Sequence, residues 1–228
     1  MPPIYHKLDN PAWYALTETQ NHFAIGSNEL KCYRKDIVSF AAYNPTNKNI
    51  LYGLDEWMAT NESFFIIGDM QALPPNYVIE RIITCVQMIC DASIPIIPGT
   101  AIEKLGEANE EEMFALVQLC LPGYYLPGTR LMGDYYGIKI NNQLVSMAGE
   151  RMRMNGLAEV SAVVTHPEFT GRKYAGQLVA HVANKNLAAG IIPFLHTGIK
   201  NERAIKLYEH LGFVTRRIIA FTKIKRVS

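Results

Sequence analysis

The stretch from Leu157 to Gly190 constrains the fold more than any other part of this chain. Residues 157–165, LAEVSAVVT, are small and β-branched, a composition that fits a pleated, half-buried strand. His166-Pro167 turns the chain and Gly171 punctuates a short loop. A helix is predicted from Arg172 to Ala189, with Leu178, Val179, Val182 and Leu187 on one apolar face. Free N–H groups at such a helix start, together with the positive end of its dipole, attract phosphate. Gly171 permits close backbone approach and Arg172 adds a charge-assisted donor. By spacing alone, the same pattern equally describes an ordinary strand-to-helix connection.

The surrounding pattern alternates strands and helices, which implies an α/β class with a mixed sheet. Strands are expected at Tyr136–Ile140 and Gln143–Met152, joined by an Asn141-Asn142 turn, and at Pro193–Thr197 and Thr215–Lys225. Helices are expected from Asn109, a suitable N-cap, through Cys120 and from Asn201 to His210. The first of these carries Met113, Leu116, Val117 and Cys120 on one face. The run Ile94-Pro95-Ile96-Ile97-Pro98-Gly99 reads as a boundary, dividing the chain into residues 1–98 and 99–228. Within the first part, strands are expected at His22–Ile25, Leu30–Tyr33, Ser63–Gly68 and Tyr77–Met88, with a helix at Ile50–Ala59. A strand is also expected at Thr100–Leu105. Residues 1–98 carry no recognisable chemistry of their own.

Composition excludes several function classes. Hydrophobic residues make up 49% of 228 and charged residues 19%, the balance of a folded globular chain. A net charge of +1 argues against a dedicated nucleic-acid or membrane-surface binder. The basic cluster at Arg216, Arg217, Lys223, Lys225 and Arg226 reads as the solvated face of a last strand. Cys32, Cys85, Cys90 and Cys120 form no CxxC pair and have no histidine at ligand spacing, so no metal site is expected. With no signal-like start and no apolar run of roughly 20 residues, a cytoplasmic location is expected.

Two motifs together resemble a known family. The run VVTHPEFTGRKYAGQL is similar to the acyl-CoA-binding motif of the GCN5-related N-acetyltransferases (GNAT), particularly their FR47-like branch. That motif reads Arg/Gln-x-x-Gly-x-Gly/Ala after a strand. The later run PFLHTGIKNERAIKLYEHLGF resembles the family's last βα unit. The likeness extends from about Thr100 to Lys225, and residues 1–98 have only a general likeness to a degenerate half-domain. Two positions depart from the motif: Thr170 replaces Arg or Gln, and Lys173 replaces Gly. At Lys173 a left-handed backbone angle would be less favourable than for glycine, and its ammonium is a further phosphate donor.

The resemblance implies a GNAT fold preceded by a smaller α/β domain, acetyl-CoA as cosubstrate, and acyl transfer to a primary amine. Its strand residues Ala162, Val163, Val164 and Thr165 are implied to meet the pantetheine arm and the thioester oxygen, in a gap beside Phe194–Thr197. The loop and helix start, Thr170 to Gly176 (Gly171, Arg172, Lys173, Tyr174, Ala175), are implied to hold the pyrophosphate. Asn201 is placed near the pantetheine amide, and Tyr208 is placed to protonate the leaving thiolate. Glu159 matches a general-base position, with a carboxyl pKa raised by burial. The alternative is a Glu159 bridging strands through Arg151 or Arg153, with water relaying the proton. Glu150 is a second base candidate, His196 a minor one, and His166 reads as a turn residue. Tyr124, Tyr125, Tyr135 and Tyr136 are expected to wall the acceptor pocket, which favours a small amine over a polymer. Neither nucleic acid nor membrane is an expected partner, and a monomer or homodimer is expected. The competing function is a non-catalytic acyl-CoA-binding or sensing module.

Overall fold

The computed structural model describes residues 3–47, 50–95 and 98–227. Residues 96 and 97 of the expected boundary lie outside them. Eleven strands form one sheet: β1 (Ala24–Gly26), β2 (Leu30–Tyr33), β3 (Phe40–Tyr43), β4 (Ser63–Ile67), β5 (Tyr77–Ile89), β6 (Glu103–Leu105), β7 (Tyr135–Ile140), β8 (Gln143–Met154), β9 (Leu157–Thr165), β10 (Ile192–Gly198) and β11 (Val214–Arg226). Their spatial order is β1-β2-β3-β4-β11-β5-β10-β9-β8-β7-β6. The helices are α1 (Pro11–Thr17), α2 (Glu110–Cys120), α3 (Tyr174–Ala188) and α4 (Glu202–His210).

The expected division at residue 98 falls in the connection between β5 and β6, and the sheet itself runs across it. β5 comes from the N-terminal part yet lies between β10 and β11, antiparallel to both. The pairing β9–β10 is parallel, whereas β6 through β9 form an antiparallel meander. Asn141 and Asn142 turn β7 into β8 with φ of 50° and 64°, the left-handed pair that a tight two-residue hairpin needs.

Strand alternation sends residues to two cores. On one face, Phe194 joins Leu8, Ala12, Leu16, Phe40 and Met152 beneath α1. On the other, Leu195 joins Val145, Val160, Leu178, Val182 and Phe213 beneath α3 and α4. Helix α2 closes a smaller core with Met113, Leu116, Val117, Tyr135 and Met147. Among the described residues no helix is long and apolar enough to cross a membrane.

Several N-terminal elements differ from expectation, each for a physical reason. Ile50–Glu56 forms 3-10 turns in place of an α-helix, with Gly53 at their centre weakening helical propensity. The segment expected as a strand from His22 opens with a 3-10 turn at Asn21–Phe23, and β6 begins only at Glu103. Helix α1 and strand β3 were not expected. Five of the seven α1 residues are buried, and so is all of β3, so neither shows the polar stripe or alternation that marks such elements. The basic C-terminal strand is partly ion-paired: Arg216 and Arg217 meet Asp9, and Lys223 meets Glu80.

Candidate active site

The site begins where β9 and β10 separate. They pair at Ile192–Leu157, Pro193–Ala158 and Phe194–Glu159, and no further. Beyond Glu159, the edge of β9 that faced β10 has no partner strand, so its backbone groups border an open wedge. A bulge sharpens the divergence. Met147 pairs with Val164 and Gly149 with Ser161, leaving Ala162 and Val163 opposite Ala148 alone. Ala162 takes φ of 50°, a left-handed angle that re-aims the strand at this point.

On the α3 side of the wedge lies a cleft of about 580 Å³. The structure brings together here most of the residues expected around acyl-CoA: Val163, Val164 and Thr165 of β9, Thr170 to Gly176 of the loop and helix start, and Asn201 and Tyr208 of α4. Ala162 borders the opposite cavity instead. Gly171 (φ 81°) and Lys173 (φ 64°) both take left-handed angles, and Lys173 is the N-cap of α3. The motif's glycine position thus keeps its glycine-like backbone although lysine occupies it. An added Cβ on Gly171 would meet no atom within 4 Å, so the space beside it belongs to the cleft. Arg172 stacks its guanidinium over Phe169 at 4.9 Å.

Asn201 caps α4 by accepting a hydrogen bond from the Ala204 N–H at 3.2 Å. Tyr208 is buried, and its hydroxyl makes no hydrogen bond to the described residues. Burial pushes its pKa up to about 12. Residues the sequence did not single out complete the cleft: Cys120 and Leu121 at the end of α2, and Arg203 and Leu207 on α4. Arg203 stands two positions after the cap, and an exposed-looking charge in a first turn carries no local signal of its role.

Across the wedge lies a second cavity of about 310 Å³. It shares Leu121, Val163, Asn201 and Tyr208 with the first. Tyr124, Tyr125 and Tyr135 line it, together with Ile83 and Cys85 of β5. Tyr136 does not. It follows Tyr135 along the strand, so it faces the other side, where its ring packs on His181 at 4.5 Å.

The expectation for Glu159 is overturned in its titration. Its carboxylate is buried and accepts two bonds from Arg151, Nε to Oε2 at 2.9 Å and Nη2 to Oε1 at 2.6 Å. His196 Nδ1 lies 2.7 Å from Oε1. Burial alone would raise this pKa, but the Arg151 charge and its hydrogen bonds, with His196, hold it down to about 2. The bridge through Arg151, not Arg153, is the one that forms. Glu150 is also committed: Arg153 Nη1 and Asn186 Nδ2 donate to its two oxygens at 2.9 and 2.8 Å, on the α3 side. His196 is enclosed by Glu159, Gln87 and the rings of Phe194 and Phe221. His166 caps the 3-10 turn Pro167–Phe169, its Nδ1 accepting from the Glu168 N–H at 3.3 Å.

A splayed α/β sheet, an amide-rich loop leading into a helix, and two cavities meeting across the gap form a two-chambered cleft. Comparison with known proteins gives it a family. The chain is 34% identical to a candidate acetyltransferase of the GNAT family from Novosphingobium aromaticivorans, with a TM-score of 0.90, covering 98% of this chain and 100% of that one. Residues 135–221 match the model of the FR47-like protein family. The chain therefore belongs to the GNAT family of acetyltransferases. The fold is shared with a GCN5-related N-acetyltransferase from Kribbella flavida (14% identity, TM-score 0.63, 100% and 97% coverage). It is shared too with a GCN5-related N-acetyltransferase-like protein from Streptococcus suis (15% identity, TM-score 0.61, 93% and 92% coverage). No curated protein is significantly similar to the chain.

Proposed function

We propose that this protein transfers an acyl group, most simply acetyl, from acyl-CoA to the primary amine of a small acceptor. The observation that carries the reading is the meeting of two cavities on opposite sides of the β9–β10 wedge, with Tyr208 and Asn201 on both. The residues present fit CoA on charge as well as shape. Arg172, Lys173 and Arg203 line the larger cleft and no carboxylate does, which favours a polyanionic ligand. The open space beside Gly171 and the start of α3 suit a diphosphate.

Bound acyl-CoA would supply an activated thioester carbonyl. The chain's part is to orient it and to manage charge and protons. The unpaired edge of β9 borders the wedge, where its N–H groups are available to a carbonyl oxygen that gains negative charge. Tyr208 holds its proton at neutral pH and faces both cavities, as a donor to a leaving thiolate must. The ion-paired Glu159 is too weak a base for an ammonium, so the amine loses its proton to water before or during attack. A cavity of about 310 Å³ lies at the lower end of small-molecule pockets and suits a small acceptor.

A panel of amines incubated with acetyl-CoA tests this reading through free-thiol release. Thiol release that depends on one class of amine supports it. If CoA raises the melting temperature but no amine accelerates thiol release, the chain is an acyl-CoA-binding module instead.

A further inference from the structure

The floor of the acceptor cavity carries a guanidinium that the transfer chemistry leaves unused. Arg151 lines the cavity, and Nε and Nη2 are spent on Glu159. Phe40 and Phe221 hold its plane by cation–π contacts at 5.0 and 5.8 Å. Nη1 has no hydrogen-bond partner among the described residues. The arrangement is braced from behind. Arg216 Nη1 donates to Gln87 Oε1 at 2.8 Å, which leaves the Gln87 amide nitrogen to donate to the Leu8 carbonyl and to His196 Nε2. His196 Nε2 then acts as acceptor, so its proton sits on Nδ1 and points at Glu159. Each link is fixed by the next, and the last one presents Nη1.

A second observation points the same way. Tyr125 is 3% exposed, lines the same cavity, and its buried hydroxyl makes no hydrogen bond of good geometry among the described residues. The neighbouring Tyr135 hydroxyl donates to the Thr129 carbonyl at 3.3 Å and offers Tyr125 only a weak contact. A buried hydroxyl costs free energy unless a ligand satisfies it. No aspartate or glutamate lines the cavity to receive a second cation on the acceptor.

Building on the acyl-transfer reading, we infer that the acceptor is an amino-carboxylate, its acid group received by Arg151 Nη1 and the Tyr125 hydroxyl while its amine faces the wedge. Glu159, His196 and Gln87 are then positioning residues for the guanidinium.

The test measures binding, not turnover. Amino-carboxylates (glycine, L-phenylalanine, 4-aminomethylbenzoate) are titrated calorimetrically into the protein saturated with CoA, beside their matched carboxamides. At least one acid should bind, and its amide should bind about 10- to 100-fold more weakly, the range for losing a charge-assisted hydrogen bond. Tyr125→Phe deletes only a hydroxyl whose protein contact is weak, so it should fold, and it should narrow the difference between acid and amide. Arg151→Lys keeps the charge opposite Glu159 and should narrow it further, with CoA affinity unchanged. Equal binding of acid and amide, no binding of any acid, or a preference unaffected by both substitutions would overturn the inference. Failure of CoA itself to bind would instead overturn the acyl-transfer reading beneath it.

Discussion

Two residues take roles that their positions along the strand and helix do not distinguish. Glu159 and Tyr208 are both buried, and both were candidates for proton transfer. The charge beside each decides between them. Arg151 makes Glu159 a permanent anion, whereas Tyr208 has no charged neighbour shifting it and stays protonated. Because the folded pKa of Glu159 lies below its unfolded value, its pair stabilises the fold above about pH 4.5. That contribution is lost as pH falls toward about 2. Glu159→Gln strands a buried guanidinium and should cost about 3–5 kcal/mol, read as a lower melting temperature at neutral pH. The acidic limb of the rate profile should move with the acceptor amine, not with this carboxyl; a limb fixed near one pH for amines of different basicity would restore Glu159 as base. Tyr208→Phe removes a hydroxyl without a partner among the described residues. It should lower turnover while leaving CoA affinity nearly unchanged, and equal turnover would return Tyr208 to the core.

At the scale of the element, the loop from Thr170 to Lys173 does most to shape the cleft. Lys173 keeps a left-handed angle that costs a side-chain-bearing residue about 1 kcal/mol. Lys173→Gly should therefore leave the melting temperature unchanged or raise it, and a clear drop would contradict the strain. Gly171→Val should cost about 1–2 kcal/mol of backbone strain and also fill the space beside the loop. It should abolish the melting-temperature rise caused by CoA in a protein that still unfolds cooperatively. This loop was legible in the letters because glycine and helix-start signals are local. The bulge at Ala162 was not, because its cause is the mismatch between β8 and β9, which no single strand contains. The Glu159–Arg151 bridge was legible only as an alternative, since facing side chains can be counted but not their partners. His196 and Gln87 join it across β10 and β5, from positions 109 residues apart.

The whole molecule ties its two parts through exchanged strands, with β11 beside β4 and β5 between β11 and β10. β5 pairs with β11 along nearly its full length and with β10 at Phe194–Gly198. It also carries Ile83, Cys85 and Gln87 to the smaller cavity or the network behind it. Residues 77–88 read as a strand in the sequence, but its neighbours could not be read there, because non-local pairing leaves no trace within the strand. A fragment of residues 99–228 would lack the central strand and should not fold cooperatively, as circular dichroism during heating would show. The proposed function depends on the same continuity, with the acyl donor on one side of the wedge and the acceptor on the other. The most direct measurement of that claim follows the acyl group itself. With acetyl-CoA carrying a labelled acetyl and an accepted amine, mass spectrometry should find labelled N-acetyl product in equal amount to the free CoA thiol. Thiol released as labelled free acetate, with the amine unmodified, would contradict it.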